Sequence, residues 1–135
     1  MKKHGVINSQ LAAVLADLGH TDTICIGDCG LPIPNDVLKI DLAVKHGLPS
    51  FMDVLTVIDD DMVYEKVFLA NEIKKENHRL HQEVLNILKT NEIAYVSHDE
   101  LKDLTKHCKA VIRTGENTPY ANIILQSGVY FGVEE

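Results

Sequence analysis

Thr23-Ile24-Cys25-Ile26-Gly27, running straight into Asp28-Cys29-Gly30, is the stretch that decides the fold. The first half is a short β-rich run, and the second half is turn chemistry that ends it. Pro32 and Pro34 then forbid a regular element. Just upstream, Ser9 can cap a helix over Gln10 to Leu18, whose Leu11, Val14, Leu15 and Leu18 form one apolar stripe. Gly19 is expected to stop that helix in a left-handed conformation. Helix, turn and strand in close succession open an α/β chain.

Downstream the same alternation continues. Val37 to Leu42 sets Val37, Lys39 and Asp41 against Leu38, Ile40 and Leu42, a second strand. Ser50 with Asp53 three residues on resembles a capping box, opening a helix to about Ile58. Met62 to Ala70 reads as a strand, with helix as the alternative. Asn71 to Lys89 reads as one long helix with Ile73, Leu80, Val84, Ile87 and Leu88 on a single face. Ile93 to Val96 is a buried-strand signal, and Ser97 with Glu100 starts a helix to about Lys106. Lys109 to Arg113 and Asn122 to Gln126 are further strands. The loop between them cannot hold a crossover helix, so these two should run antiparallel. The expected architecture is three-layer α/β. A mixed, mostly parallel sheet carries helices on both faces, its last strand is antiparallel, and residues 1–135 form one domain.

Bulk properties narrow the function. Trp is absent and aromatic residues make up 5% of the 135, so the core must be built from aliphatic side chains, unlike a Trp-lined carbohydrate-binding sandwich. A formal charge of −7 repels phosphate backbones and anionic lipid, and Lys74-Lys75 is flanked by Glu72 and Glu76. Neither nucleic acid nor a membrane is expected as partner. Cys25, Cys29 and Cys108 are an odd count without a disulfide framework, which fits reduced thiols. Met1-Lys2-Lys3 mimics a signal n-region, but Asn8, Ser9, Gln10 and Asp17 prevent an apolar segment from following. A cytoplasmic location is expected.

In open α/β sheets, ligands bind beyond the carboxyl ends of the strands. Asp28, then Ser97-His98-Asp99, then Arg113-Thr114-Gly115-Glu116 fall there by sequence position, and His20 lies in the turn after Gly19. Two histidines, a carboxylate and uncharged hydrogen-bonding groups suit a neutral polyol better than a phosphate, and no P-loop or G-x-G-x-x-G occurs. Taken singly, each has an ordinary explanation. His20 is a turn residue, Asp28 a local turn acceptor and His98 an exposed first-turn helix residue. Arg113 and Glu116 would form a surface ion pair. His78 and His81, three apart near Glu76 and Glu83, are read as a solvated helix face and not a metal site. Cys25 and Cys29 are read as packing residues.

Together, Leu18-Gly19-His20-Thr21-Asp22, Asp28-Cys29-Gly30-Leu31-Pro32-Ile33-Pro34, Ile112-Arg113-Thr114-Gly115-Glu116 and Thr118-Pro119-Tyr120-Ala121-Asn122 strongly resemble the motifs of the D-ribose pyranase family, which is related to the L-fucose mutarotases. The resemblance runs from Lys2 to about Phe131. One departure is Cys29, where the family typically carries alanine. The resemblance implies that His20 is the catalytic proton donor, and that Asp28, His98 and the segment Tyr120, Ala121 and Asn122 contact the sugar. It also implies a homodecamer of stacked pentameric rings with sites built across subunit boundaries.

The residue types suit the chemistry. Opening a pyranose needs a proton delivered to the ring oxygen while one leaves the anomeric hydroxyl, and imidazole exchanges protons near neutral pH. No metal or cofactor is required. The expected function is an isomerase interconverting the β-pyranose and β-furanose forms of D-ribose. The alternatives are a mutarotase for fucose or another aldose, and a non-catalytic cytoplasmic accessory of ribose transport.

Overall fold

A computed structural model describes residues 1–132, so the last three residues of the expected 1–135 domain lie outside the described residues. The chain runs α1 (Ser9–Asp17), β1 (Thr23–Gly27), β2 (Leu38–Asp41), α2 (Phe51–Asp61), β3 (Tyr64–Ala70), α3 (Ile73–Glu76), α4 (His78–Ile87), β4 (Ile93–Val96), α5 (His98–Leu104), a 3-10 turn (Thr105–His107), β5 (Ala110–Arg113) and β6 (Ile123–Ser127). The six strands form one sheet in the order β2-β5-β1-β6-β3-β4. β1 pairs in parallel with β5, β5 with β2, and β3 with β4. β6 is antiparallel to both its neighbours, β1 and β3.

Strand alternation explains the layers. Ile24, Ile26, Val67, Leu69, Ala110, Ile112, Ile123 and Leu125 point to one face, where they pack with Leu11 of α1, Phe51, Val54, Leu55 and Ile58 of α2, and Leu80 and Val84 of α4. Cys25, Ala70, Val111 and Ile124 point the other way, onto Leu31, Leu101 of α5 and Cys108. The period of two sends each strand's apolar residues into two cores, so helices are needed on both faces. Burial pushes the thiols of Cys25 and Cys108 up, as suits packing groups.

Local signals explain most boundaries. Ser50 and Asp53 form the reciprocal capping box at the start of α2, and the Ser97 hydroxyl accepts from Glu100 N at 3.1 Å. Three expectations need correction. The α1 cap is Asn8, whose Oδ1 accepts from Leu11 N at 2.9 Å, so Ser9 is already the first helical residue. Gly19 is not the left-handed residue; Thr21 is, with φ 73°. The stretch from Asn71 to Lys89 is not one helix, because it breaks at Asn77 (φ −147°, ψ 55°). β5 and β6 do run in opposite directions, with β1 inserted between them, so the intervening loop crosses the end of β1.

His81 departs from the solvated-face reading. It is buried, and its Nε2 lies 2.6 Å from the hydroxyl of Tyr95, whose ring also receives the Lys74 ammonium 3.8 Å from its centroid. Burial first, then the charges of Lys74 and His78, hold its imidazole below the usual 6.5. The unfolded chain takes up a proton near 6.5 and the folded chain resists it. The stability that neutral His81 confers is therefore complete above that pH and lost as the pH falls through it. In His81→Gln, which keeps a hydrogen-bonding group and does not titrate, the fall in urea midpoint between about pH 7 and pH 5 should be smaller than in the wild type.

Candidate functional site

The carboxyl end of β1 is where the sheet brings polar groups together. Asp28 follows the strand directly; its backbone N–H donates to Asn122 Oδ1 at 2.9 Å. Its own Oδ1 accepts from Gly30 N at 2.9 Å, which closes an Asx-type turn and leaves the second carboxylate oxygen available. Gly27 permits this contact. A Cβ there would lie 2.7 Å from Leu31 Cδ2 and 3.2 Å from Asn122 Oδ1.

Asn122 stands at the start of β6 and is fully buried. Tyr120, two residues earlier, adopts φ 57°, a conformation uncommon for a residue with a side chain. Its ring meets the edge of His98, with centroids 5.1 Å apart at 82°. His98 opens α5 just beyond β4, and its backbone N–H donates to both Glu72 carboxylate oxygens at 3.1 Å. Among the described residues, two buried side-chain polar atoms have no hydrogen-bond partner: His98 Nδ1 and Asn122 Nδ2. Both belong to this cluster. Orphaned buried polar atoms cost free energy, and a polyhydroxyl ligand can satisfy both kinds.

Thus Asp28, His98, Tyr120 and Asn122 come together. Ala121 lies among them in sequence, but its side chain is buried in the core, which leaves only its backbone for a ligand. The remaining polar cluster plays a supporting part. Arg113 does not pair with Glu116: its Nη1 meets Asp41 Oδ2 at 3.1 Å, and its Nε donates to Cys29 O at 3.0 Å. Glu116 accepts from Phe51 N at 2.9 Å and from the Thr118 hydroxyl at 2.7 Å, tying the loop to the start of α2. Gly115 lies so close to the turn at 45–48 that a Cβ would come within 2.5 Å of the Lys45 and Leu48 carbonyl oxygens.

His20 is elsewhere. It precedes β1, whereas Asp28 follows it, and a strand of this length separates its ends by about 17 Å at ~3.3 Å per residue. The imidazole is 54% exposed, and its Nε2 lies 2.5 Å from Glu65 Oε1, at the amino end of β3. The turn carrying it is tightly pinned. Gly19 N donates to Asp22 Oδ2 at 2.8 Å, Thr21 N to Ser127 O at 3.0 Å, and Ser127 N to Asp22 O at 2.8 Å. Within one chain, then, His20 does not reach the Asp28–Asn122 cluster, and the six candidate residues fall into two groups at opposite ends of β1.

Two site-building residues escape sequence reasoning. Glu65 sits inside an apolar strand run with nothing to mark it. Asn77 breaks the helix, and its Nδ2 donates to the Thr118 hydroxyl at 2.9 Å and to Pro119 O at 2.8 Å. An Asn within a helical stretch, with its known taste for non-helical backbone, is the one available signal.

The class of protein emerges from comparison. The chain matches the RbsD / FucU transport protein family over residues 1–130 and belongs to it. Among curated relatives, proteins called D-ribose pyranase from Bacillus cytotoxicus and Bacillus mycoides are 60% and 61% identical over 131 residues, 97% of this chain and the whole of each relative. The solved Bacillus subtilis RbsD complexed with D-ribose has 58% identity and a TM-score of 0.94, covering 97% of this chain and all of that one. The fucose mutarotase of Streptococcus pneumoniae, solved with L-fucose, shares the fold at 23% identity and a TM-score of 0.73, over 92% of this chain and 94% of its own.

The Asn77 tie carries its own test. Asn77→Ala removes two hydrogen bonds from the loop that presents Tyr120 and Asn122. A loss of about 1–3 kcal/mol is expected in denaturant unfolding, with faster amide exchange confined to residues 117–122.

Proposed function

We propose that this protein catalyses the interconversion of the β-pyranose and β-furanose forms of D-ribose, acting as a D-ribose pyranase. The single observation that carries the reading is the buried pair of unsatisfied atoms, Asn122 Nδ2 and His98 Nδ1, beside Asp28 and Tyr120. Relatives sharing about 60% identity over nearly the whole chain bear that name, which weighs for ribose over fucose. In this reading Asn122 donates to a sugar hydroxyl, the free oxygen of Asp28 accepts from others, and Tyr120 offers ring carbons an apolar face. Ala121 contributes backbone, and residues 1–135 act as one domain.

His20 supplies the proton. As imidazolium it protonates the ring oxygen while the bond from that oxygen to the anomeric carbon breaks. The anomeric hydroxyl gives up its proton to a base, with His98 Nδ1 the candidate, and becomes the aldehyde oxygen. Closure reverses the flow: neutral His20 takes the proton from the attacking hydroxyl, and His98 returns its proton to the carbonyl oxygen. Protons balance over the cycle, and neither a redox partner nor a metal enters the scheme. General acid–base help of this kind is worth on the order of 10²–10⁴-fold.

The two half-sites meet between copies of the chain. The end bearing His20 also exposes Val63, Val129, Tyr130 and Phe131, the last two at 58% and 86%. The opposite end, near the turn against Gly115, exposes Val44 and Leu48. Apolar surface at opposite ends of one sheet suits head-to-tail association, and such contacts close into rings. We take the assembly to be a homodecamer of two stacked pentameric rings. It would work in the cytoplasm with reduced thiols; among the described residues no helix is long and apolar enough to cross a membrane.

Magnetisation-transfer NMR on unlabelled ribose tests the activity. Wild-type protein should speed pyranose–furanose exchange, and His20→Ala or Asp28→Ala alone should abolish the gain. When the two variants are unfolded together and reassembled in equal amounts, random mixing leaves about a quarter of the interfaces with both intact halves, and about a quarter of the activity should return. A mixture as dead as its components would overturn the shared site. Acceleration of fucose anomers alone, or ribose binding without exchange, would overturn the function.

A further inference from the structure

We infer that Glu65, held by Gln126, is a positioning residue for His20, and that Nδ1 is the imidazole nitrogen that exchanges protons with the sugar. The inference rests on the proposed ribose reaction. It begins with the strand that carries Glu65. Tyr64 pairs with Ser127 and Lys66 with Gln126, so β3 takes two steps where β6 takes one, and Glu65 is the extra residue of a β-bulge.

The bulge changes where the carboxylate goes. Val67 and Leu69 face the helix-covered core, and unbroken alternation would send Glu65 to the same side. With the extra residue inserted, Tyr64 takes that place in the core instead. Glu65 turns outward, with its side chain 42% exposed, and meets His20 Nε2 at 2.5 Å. Its second oxygen accepts from Gln126 Nε2 at 3.1 Å. Gln126 stands opposite Lys66 on the neighbouring strand, so the sheet itself fixes the direction of the carboxylate.

Donor and acceptor chemistry then distinguishes the two ring nitrogens. An ionised carboxylate can only accept, so the nitrogen facing Glu65 must carry a hydrogen in both the neutral and the charged ring. The lone pair of neutral His20 is left on Nδ1, and the proton that comes and goes is the one on Nδ1. The turn supports this division of labour. The left-handed Thr21 and the bonds that Thr21 and Asp22 each make with Ser127 fix the backbone, while Glu65 fixes the rotation of the ring. A histidine on an exposed edge would otherwise sample several rotamers, and only a fraction of encounters would find it aligned.

The test uses the assembled protein, with ribose as the probe. Glu65→Ala and Glu65→Gln should lower kcat by about tenfold or more, within the 10²–10⁴ that general acid–base catalysis supplies, and shift KM by less than about twofold. Glu65→Asp should recover part of the loss, and Gln126→Leu should show a smaller fall. In wild-type protein with ¹⁵N-labelled histidine, saturating ribose should move the Nδ1 resonance of His20 much further than that of Nε2. Unchanged kcat in both Glu65→Ala and Glu65→Gln, an effect on KM alone, or a ribose-induced shift larger at Nε2 than at Nδ1 would each overturn the inference. A wild-type protein that fails to accelerate ribose exchange would instead overturn the function on which it rests, so the two failures are separable.

Discussion

The antiparallel insertion of β6 between β1 and β3 is the constraint on which both polar clusters depend. In a purely parallel sheet, every strand would deliver its carboxyl end to the same edge and its amino end to the other. Because β6 runs backwards, its first residues arrive where β1, β3, β4 and β5 finish, and Asn122 can offer Oδ1 to Asp28 N. Its last residues arrive at the far edge, where Ser127 bonds to the turn that carries His20 and Gln126 bonds to Glu65. One five-residue strand therefore organises polar groups at both ends of the sheet. Four of its five side chains are buried, so neither end can shift without disturbing the core.

In the function proposed above, that arrangement makes assembly part of the chemistry. His20 and the Asp28–Asn122 cluster, at opposite ends of a rigid sheet, cannot be joined by a loop movement, because both sit on short, heavily bonded turns. The remaining way to unite them is to place a second copy end to end with the first. Head-to-tail contacts present two different surfaces to each other, and they close only when the rotation between copies divides a full turn. In the proposed ring each head-to-tail contact would complete one site, and the exposed Val44, Leu48, Tyr130 and Phe131 lie beside the two clusters it would join.

What could be read from the sequence, and what could not, follows from the range of the forces involved. Short-range chemistry was legible: the Ser50–Asp53 capping box, the β-rich run at Thr23–Gly27 and the strand over Tyr64–Ala70 are all found close to where their residues suggest. Direction was legible too, since the loop after Arg113 is too short for a crossover. Strand order was not. Nothing local says that β1 lies between β5 and β6, because that depends on matching two cores at once. Asn8 captured the cap expected at Ser9 because either oxygen can reach the first free N–H groups. The left-handed residue is Thr21 and not Gly19, for the turn is fastened by bonds to Ser127, a hundred residues away in the chain. Asp28, His98, Tyr120 and Asn122 were identified by motif and do converge. His20 stands apart from them at the other end of β1. The family resemblance implies sites built across subunit boundaries, but no local signal says which residue is the one set apart, because a motif does not record where strand order places its residues.

The helix break at Asn77 shows why an apparent defect can be a support. An uninterrupted helix from Asn71 to Lys89 would carry its i→i−4 hydrogen bonds through position 77 and keep a continuous apolar face. The break gives up that regularity and releases an amide side chain to hold Thr118 and Pro119. The loop it holds must keep Tyr120 at a positive φ, which costs on the order of 1–3 kcal/mol and persists only where the surroundings over-determine it. Asn77 from one side and Glu116 from the other supply that over-determination. Strain in the loop, irregularity in the helix and the unsatisfied amide of Asn122 therefore belong to a single arrangement. Local stability is surrendered at three places so that hydrogen-bonding groups stand ready where a neutral sugar would need them.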